Sequence, residues 1–372
     1  MTRKSRLVAL LSLCVAFAAA PAQAGVDQLT LPALKAPRAA KSMLLGVALA
    51  GPRIVAVGER GIIVFSDDRG STWQQADVPV SATLTGVTFA GTHQGWAVGH
   101  DGLVLHSADA GKSWTKQFDG NQANALIMAA AQERVARAAS ESSAAKRAEQ
   151  ALQDAKAAAK FGPSRPLLAV WFKNESEGFA AGSYGLLLRT RDGGAHWELW
   201  SDHIDNPEGL HFNAIAATPS GALVIAGEAG NVWRSADGGT TWEGLPTGYK
   251  GQLYGALAMR NAGGGEDLLA FGFKGNLFRL AANTRGWETL ASGTTKNLSG
   301  GVLLSDGSPA LVSQDGRLVL GSADGKRFKV VPGAPLPAVA IARGPADAGV
   351  AVSGIGGVSL VFLSAQNDAS KP

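Results

Sequence analysis

Cysteine is nearly missing from this chain: there is one, Cys14, in 372 residues. Neither a disulfide framework nor a cysteine-ligated zinc cluster can be assembled from it, because each needs several thiols in one place. Tyrosine is almost as scarce, with Tyr184, Tyr249 and Tyr254 alone. Charged side chains make up 17% of the residues against 46% hydrophobic ones, the balance of a globular chain and not of a disordered one. Outside the amino terminus no apolar run approaches the roughly 20 residues that cross a bilayer. Phosphate-loop and dinucleotide fingerprints are missing too, since the Gly-x-x-Gly sequences here have no helix pattern behind them. The six histidines, His100/His106 and His203/His211 among them, show no metal-ligand spacing, so neither metal nor cofactor is expected.

Residues 1–24 predict a cleaved signal peptide: Arg3, Lys4 and Arg6, an apolar stretch from Leu7 to Ala20, then Ala22-Gln23-Ala24 before Gly25. Cys14 lies mid-stretch behind Leu13, which does not fit a lipid-attachment site. Cleavage removes three bases and no acid, so 31 Lys and Arg face 30 Asp and Glu in the mature chain. The overall +4 charge therefore belongs to the discarded segment and gives no reason to expect a nucleic-acid partner. A soluble periplasmic monomer with no membrane span after cleavage is the expectation.

Glycine is what the chain has in excess, 48 residues without a Gly-X-Y period, about 13% against a usual ~7%. The excess falls into a repeat. Ile54–Trp73 (IVAVGERGIIVFSDDRGSTW), Gly95–Trp114 (GWAVGHDGLVLHSADAGKSW), Gly178–Trp197 (GFAAGSYGLLLRTRDGGAHW) and Leu223–Trp242 (LVIAGEAGNVWRSADGGTTW) align without gaps. Three degenerate copies follow, and the Gly-x-x-Gly turns or their equivalents begin at 58, 99, 182, 227, 272, 313 and 354. Each unit holds four short apolar segments in about 42 residues, the signature of a propeller blade that cannot bury both faces alone. An all-β, seven-bladed β-propeller spanning residues 25–372 is predicted. The last unit lacks a fourth strand, and the alternating stretch at about 26–34 is expected to supply it and so close the ring.

One spacing is doubled. Residues 121–163 form an alanine-rich insertion between blades 2 and 3, free of glycine from Asn121 to Phe161, which predicts one helix, or two if Ser140-Glu141-Ser142-Ser143 turns. Large apolar residues are few in it (Leu126, Ile127, Met128, Val135, Leu152), so its apolar stripe is narrow, as for a partner-docking arm.

The pattern Ser/Thr-x-Asp-x-Gly-x-x-Trp, an Asp-box, is intact four times: Ser66, Asp68, Gly70, Trp73; Ser107, Asp109, Gly111, Trp114; Thr190, Asp192, Gly194, Trp197; and Ser235, Asp237, Gly239, Trp242. The Asp suits capture of backbone N–H groups, the Gly a left-handed backbone, and the Trp a cover over the loop, so a structural role is expected. The four aspartates belong to different blades and cannot converge on one metal.

Asp-boxes occur in sialidase-type propellers, and the longer unit from Gly-x-x-Gly to the box Trp resembles the photosystem II stability and assembly factor family over nearly the whole mature chain. The resemblance implies a non-catalytic lumenal or periplasmic propeller that binds subunits of a membrane protein complex. For non-photosynthetic bacterial relatives it implies an accessory role beside exporters of the resistance-nodulation-division type. The family also has an arginine-rich functional patch. Three arginines match its repeat motif here: Arg189, Arg234 and Arg279 end the third strands of three successive units at 45-residue steps, and are expected to form a row suited to carboxylates. Because they abut the boxes, the row and the insertion are expected on opposite faces. The alternative readings are a sialidase-like glycoside hydrolase and a carbohydrate- or lipid-binding propeller. A sialidase needs a Tyr nucleophile paired with Glu and an arginine triad. Gly51-Pro52-Arg53-Ile54 is only a distant echo of its amino-terminal motif, and Glu59 and Glu228 recur by symmetry, as turn residues would.

Overall fold

The repeated apolar segments pair as antiparallel strands. The second strand of every unit reads almost wholly apolar because it is buried on both faces. The computed structural model describes residues 27–139, 142–347 and 349–363; the expected signal peptide lies outside them. Seven sheets form the ring. Blade 1 comprises Leu44–Ala50, Arg53–Gly58, Ile63–Ser66 and Gln74–Gln75, from channel to rim. Blade 2 comprises Leu84–Ala90, Gln94–Gly99, Val104–Ser107 and Thr115–Phe118. Blade 3 comprises Leu167–Phe172, Gly178–Gly182, Leu187–Thr190 and Glu198–Leu199. Blade 4 comprises Phe212–Ala217, Leu223–Gly227, Val232–Ser235 and Glu243–Gly244. Blade 5 comprises Leu253–Arg260, Glu266–Gly272, Leu277–Leu280 and Trp287–Leu290. Blade 6 comprises Leu298–Leu303, Pro309–Ser313, Leu318–Gly321 and Phe328–Val331. Blade 7 has three strands, Ala338–Arg343, Val350–Gly354 and Gly357–Val361.

The apolar residues divide into seven cores, one at each seam between blades. At the seam of blades 2 and 3, Trp96 stacks on Phe172 with centroids 3.5 Å apart. The seam of blades 7 and 1 closes the ring: Leu44, Val47, Ile54 and Trp73 pack on Ala351, Val358 and Leu360.

This closure differs from the expected one. Residues 27–34 form no strand and do not pair with blade 7. The Asp27 carboxylate accepts the Leu29 N–H (2.9 Å) while the Asp27 carbonyl accepts those of Thr30 and Leu31. That turn competes with a strand, and Pro32 removes a ladder donor. Leu29 is instead buried in the seam of blades 1 and 2, held there by Ser81 N–H to Gln28 O and Ala33 N–H to Val78 O. The chain then crosses blade 1, and the turn Ala39–Lys41 reaches the blade 7 seam, where Ala39 is buried. Among the described residues no strand occupies the outer edge of blade 7.

The insertion is a hairpin of two helices, α1 (Gly120–Arg137) and α2 (Ser143–Ala159). Asp119 caps α1 in a capping box with Gln122, and Ser142 caps α2. Rather than projecting as an arm, α1 lies on the ring: Ala123, Leu126 and Ile127 pack with Phe118, Leu186, Leu188 and Trp197. Further along, Arg134 pairs with Asp202 at 2.5 Å. The helices meet through small residues, with Ala131 of α1 and Ala148 and Ala155 of α2 buried.

Candidate functional site

The two turn sets of each blade lie at opposite ends of its strands. In the Gly-x-x-Gly turn of blade 1, Arg60 has φ 54° and Gly61 φ 71°, left-handed values that favour glycine at the second site. The Glu59 carboxylate accepts the Met43 N–H (2.9 Å), and in blade 4 Glu228 accepts that of His211 (2.8 Å). Both carboxylates thus fasten a turn to the start of an inner strand.

At the other end, the Asp-boxes close on themselves. In blade 1 the Asp68 carboxylate accepts the Ser66 hydroxyl (2.8 Å), the Thr72 N–H (2.8 Å) and the Thr72 hydroxyl (2.6 Å), while Ser66 Oγ accepts the Gly70 N–H (2.8 Å). Gly70 takes φ 82°, and the Trp73 indole N–H donates to the Gly70 carbonyl (3.1 Å). Blades 2 and 4 repeat this through Ser107, Asp109, Gly111 and Trp114, and through Ser235, Asp237, Gly239 and Trp242. In blade 3, Thr190 and Asp192 do the same, with His196 donating to Asp192, but the Trp197 indole N–H is buried without a partner. Hydrogen bonds from Thr72 hold the Asp68 carboxyl down to about 2, and those from His196 hold Asp192 to about 2. The bonds from Thr241 depress Asp237 likewise. These carboxylates stay ionised at neutral pH with their oxygens committed to their own loops.

The arginine row divides. Arg189, Arg234 and Arg279 each sit directly across from a glutamate on the outer strand: Glu198, Glu243 and Glu288. Arg279 is 9% exposed and pairs with Asp267 and, at 3.5 Å, with Glu288. Its Nε is buried without a partner. Arg189 instead lies over the rings of Trp200 (4.8 Å) and Phe179 (5.5 Å), and burial lowers its pKa. Arg234 makes no ion pair among the described residues and lines a groove of about 590 Å³ with Arg260, Arg285, Glu243 and Glu266. Arg53, outside the row, forms a two-pronged pair with Asp67 (2.7 and 2.9 Å) and donates across the seam to the Ala110 carbonyl (3.1 Å).

The reason for the division is in blade 5, which has no Asp-box. There Asp267, on the second strand, accepts the Ala282 N–H (2.8 Å) and the Asn261 side chain (2.9 Å), which fixes the loop that the box fixes elsewhere. Asp267 is 3% exposed, so its charge needs a neighbour, and Arg279 supplies it. The carboxylates facing the row were readable in the sequence as the repeated Trp197-Glu198, Trp242-Glu243 and Trp287-Glu288, at the same 45-residue steps.

The insertion starts on the Gly-x-x-Gly face, as expected, but the cleft it borders extends towards the boxes. Helix α1 starts beside the Gly-x-x-Gly turn of blade 2, where a Cβ on Gly102 would meet the Gly120 backbone. It then runs along the rim of blade 3. The cleft it borders also includes Thr241 and Trp242 from the box of blade 4.

The model of the family described as Photosynthesis system II assembly factor YCF48 matches residues 40–160 and 149–368, two stretches that overlap within α2. The Photosystem II assembly lipoprotein Ycf48 of Synechococcus sp. (strain CC9902) is 39% identical over 79 residues, 21% of this chain and 23% of the relative. The Uncharacterized protein YkuO of Bacillus subtilis (strain 168) is 33% identical over 75 residues, 20% of this chain and 25% of the relative. The chain thus aligns with about a quarter of each curated relative's length. The solved structure of YCF48 bound to D1 peptide superposes with a TM-score of 0.60 at 16% identity, covering 90% of this chain and 99% of that one. YCF48 from Cyanidioschyzon merolae gives 0.60 at 15%, covering 88% and 97%. The WD40 β-propeller domain of Doa1 gives 0.58 at 10%, covering 91% and 97%. At such identities these structures speak for the propeller fold alone. The family match covers nearly all seven blades, and on it this chain belongs to the YCF48-type photosystem II assembly factor family.

Proposed function

We propose that the protein is a non-catalytic accessory factor of the cell envelope that binds a subunit of a membrane protein complex and assists its assembly or stability. The observation that carries this is the family match over residues 40–160 and 149–368. The commitment of the box carboxylates to their own loops supports it, because they have no free oxygens to offer a substrate. Export by residues 1–24 would place the propeller in the periplasm, and an exporter of the resistance-nodulation-division type is the first complex to examine. Of the arginine row, Arg189 and Arg234 are the members proposed for partner contact, since Arg279 is committed to Asp267.

The test is purification of the tagged chain from cross-linked membranes, with mass spectrometry of what accompanies it. Enrichment of the subunits of one membrane complex supports the proposal. Recovery of none, together with hydrolysis of a fluorogenic sialoside by the pure protein, would establish the glycosidase instead. Release of the protein by osmotic shock checks the compartment: retention with the cytosol would refute a periplasmic site.

A further inference from the structure

The geometry points to a second contact surface in the cleft between α1 and the rim of blades 3 and 4: a site for an extended peptide of a protein partner, with a carboxylate received by Arg165 and a bulky apolar side chain by Tyr184. This deepens the accessory-factor reading and rests on it. The cleft has a volume of about 700 Å³, within the usual span of ligand sites, and α1 supplies one side of it through Ile127 and Arg134. Ile127 of α1, Leu199 of blade 3 and Trp242 of blade 4 supply its apolar walls.

Two side chains of the cleft make neither an ion pair nor a side-chain hydrogen bond among the described residues. Arg165 is half-buried, its guanidinium lying 5.8 Å from the Tyr184 ring centre, and among the described residues no carboxylate comes within 4 Å of it. Asp205 lines the same cleft without reaching it, and Asp202 is taken by Arg134. Burial lowers the Arg165 pKa, the direction expected for a cation that has lost water and gained no partner. A bound carboxylate would restore a two-pronged partner to it.

Tyr184 is the other side chain. It is 60% exposed and holds a left-handed backbone, φ 57°, that disfavours bulky residues. The sister turns adopt the same conformation with Arg60, Asp101, Ala229 and Lys274, so the turn itself does not need an aromatic ring. The ring is braced edge-on by His211 at 5.1 Å, which fixes it as a platform at the cleft mouth.

The experiment uses the full mature chain and three fluorescein-labelled Gly-Ser dodecapeptides with Glu-Phe-Glu, Glu-Ala-Glu or Lys-Phe-Lys at the centre, read by fluorescence anisotropy. Glu-Phe-Glu is expected to bind at least tenfold more tightly than the other two. Arg165→Glu and Tyr184→Gly should each weaken it tenfold or more, with Arg165→Gln as the milder variant should the reversal not fold. Tyr184→Gly should melt no lower than the parent, because glycine suits that backbone, which separates a lost contact from a lost fold. Equal binding of the three peptides, binding of none, or full binding by Arg165→Gln overturns the assignment. Displacement by free N-acetylneuraminate at the peptide's own concentration also overturns it, in favour of an acidic sugar. Membrane-complex recovery by the parent chain, alongside its failure to bind any of the three peptides, would sink the cleft and leave the accessory role standing. Peptide binding without any membrane complex would do the reverse.

Discussion

Blades 4 and 5 place an arginine at the same point of the same strand, yet Arg234 faces an open groove and Arg279 is locked in the interior. Blade 4 holds its outer loop with a self-contained box, and Arg234 makes no ion pair among the described residues. Blade 5 has Leu280 where the box serine would stand, and fastens the loop from behind with Asp267. That carboxylate is buried, and its cost is met by the neighbouring guanidinium. Symmetry in a repeat therefore fixes where a side chain starts and leaves open what it does. The loss of one loop motif is enough to turn a surface arginine into a structural one.

Truncation of the two arginines should separate these roles most sharply. Arg279→Ala leaves Asp267 buried without a counter-charge and should cost about 3–5 kcal/mol in urea denaturation. Arg234→Ala should stay within about 0.5 kcal/mol. Equal costs would erase the distinction between the blades. A smaller effect is expected in the box itself: Ser235 is fully buried and ties Gly239 to Asp237, so Ser235→Ala should cost about 1–3 kcal/mol.

Acid should reach blades 1 and 3 through their boxes. Asp68 and Asp192 have folded pKa values of about 2, below the ordinary carboxylate value near 3.9 that an unfolded chain would show. The unfolded chain binds protons first, so their contribution is complete above the unfolded value and is lost as pH falls from about 4 towards 2. Melting temperature followed from pH 7 to pH 2 should drop in that window, and Asp68→Asn should flatten the drop. A profile unchanged by this substitution would mean that the box carboxylates are not the acid-sensitive part. The smallest effect is expected at the insertion, where Asp202→Asn should change global stability by no more than about 0.5 kcal/mol. It should instead quicken amide exchange in the last turn of α1; unaltered exchange would show that the Arg134 pair does not hold the helix to the ring.

The repeat was legible because its turns depend on local chemistry: a left-handed backbone asks for glycine, and a box asks for Ser or Thr, Asp and Trp at set intervals. Both constraints lie within twenty residues and leave a period. The role of Arg279 was not legible, since it depends on Asp267 replacing a motif from another strand. The sequence at about 26–34 alternates like a strand, but from Asp27 onward the chain turns, Pro32 offers no ladder donor, and Leu29 finds its core one seam away from the expected one. The helices were evident from alanine, whereas their docking was not. Of the four large apolar residues of α1, Leu126 and Ile127 pack in the seam with the ring, while Met128 and Val135 blur the side that faces it.

The seam between blades 7 and 1 sets the order in which the molecule can become whole. Its inner strands, Leu44–Ala50 and Ala338–Arg343, are separated by about 300 residues of chain, while every other seam joins neighbours in sequence. A chain appearing amino end first would make six seams as it lengthens and hold half of the seventh, with Leu44, Val47 and Ile54 uncovered, until Ala351 and Val358 arrive. During that interval the amino-terminal blade is the sticky end of an open arc, and the carboxyl-terminal blade decides when it is covered.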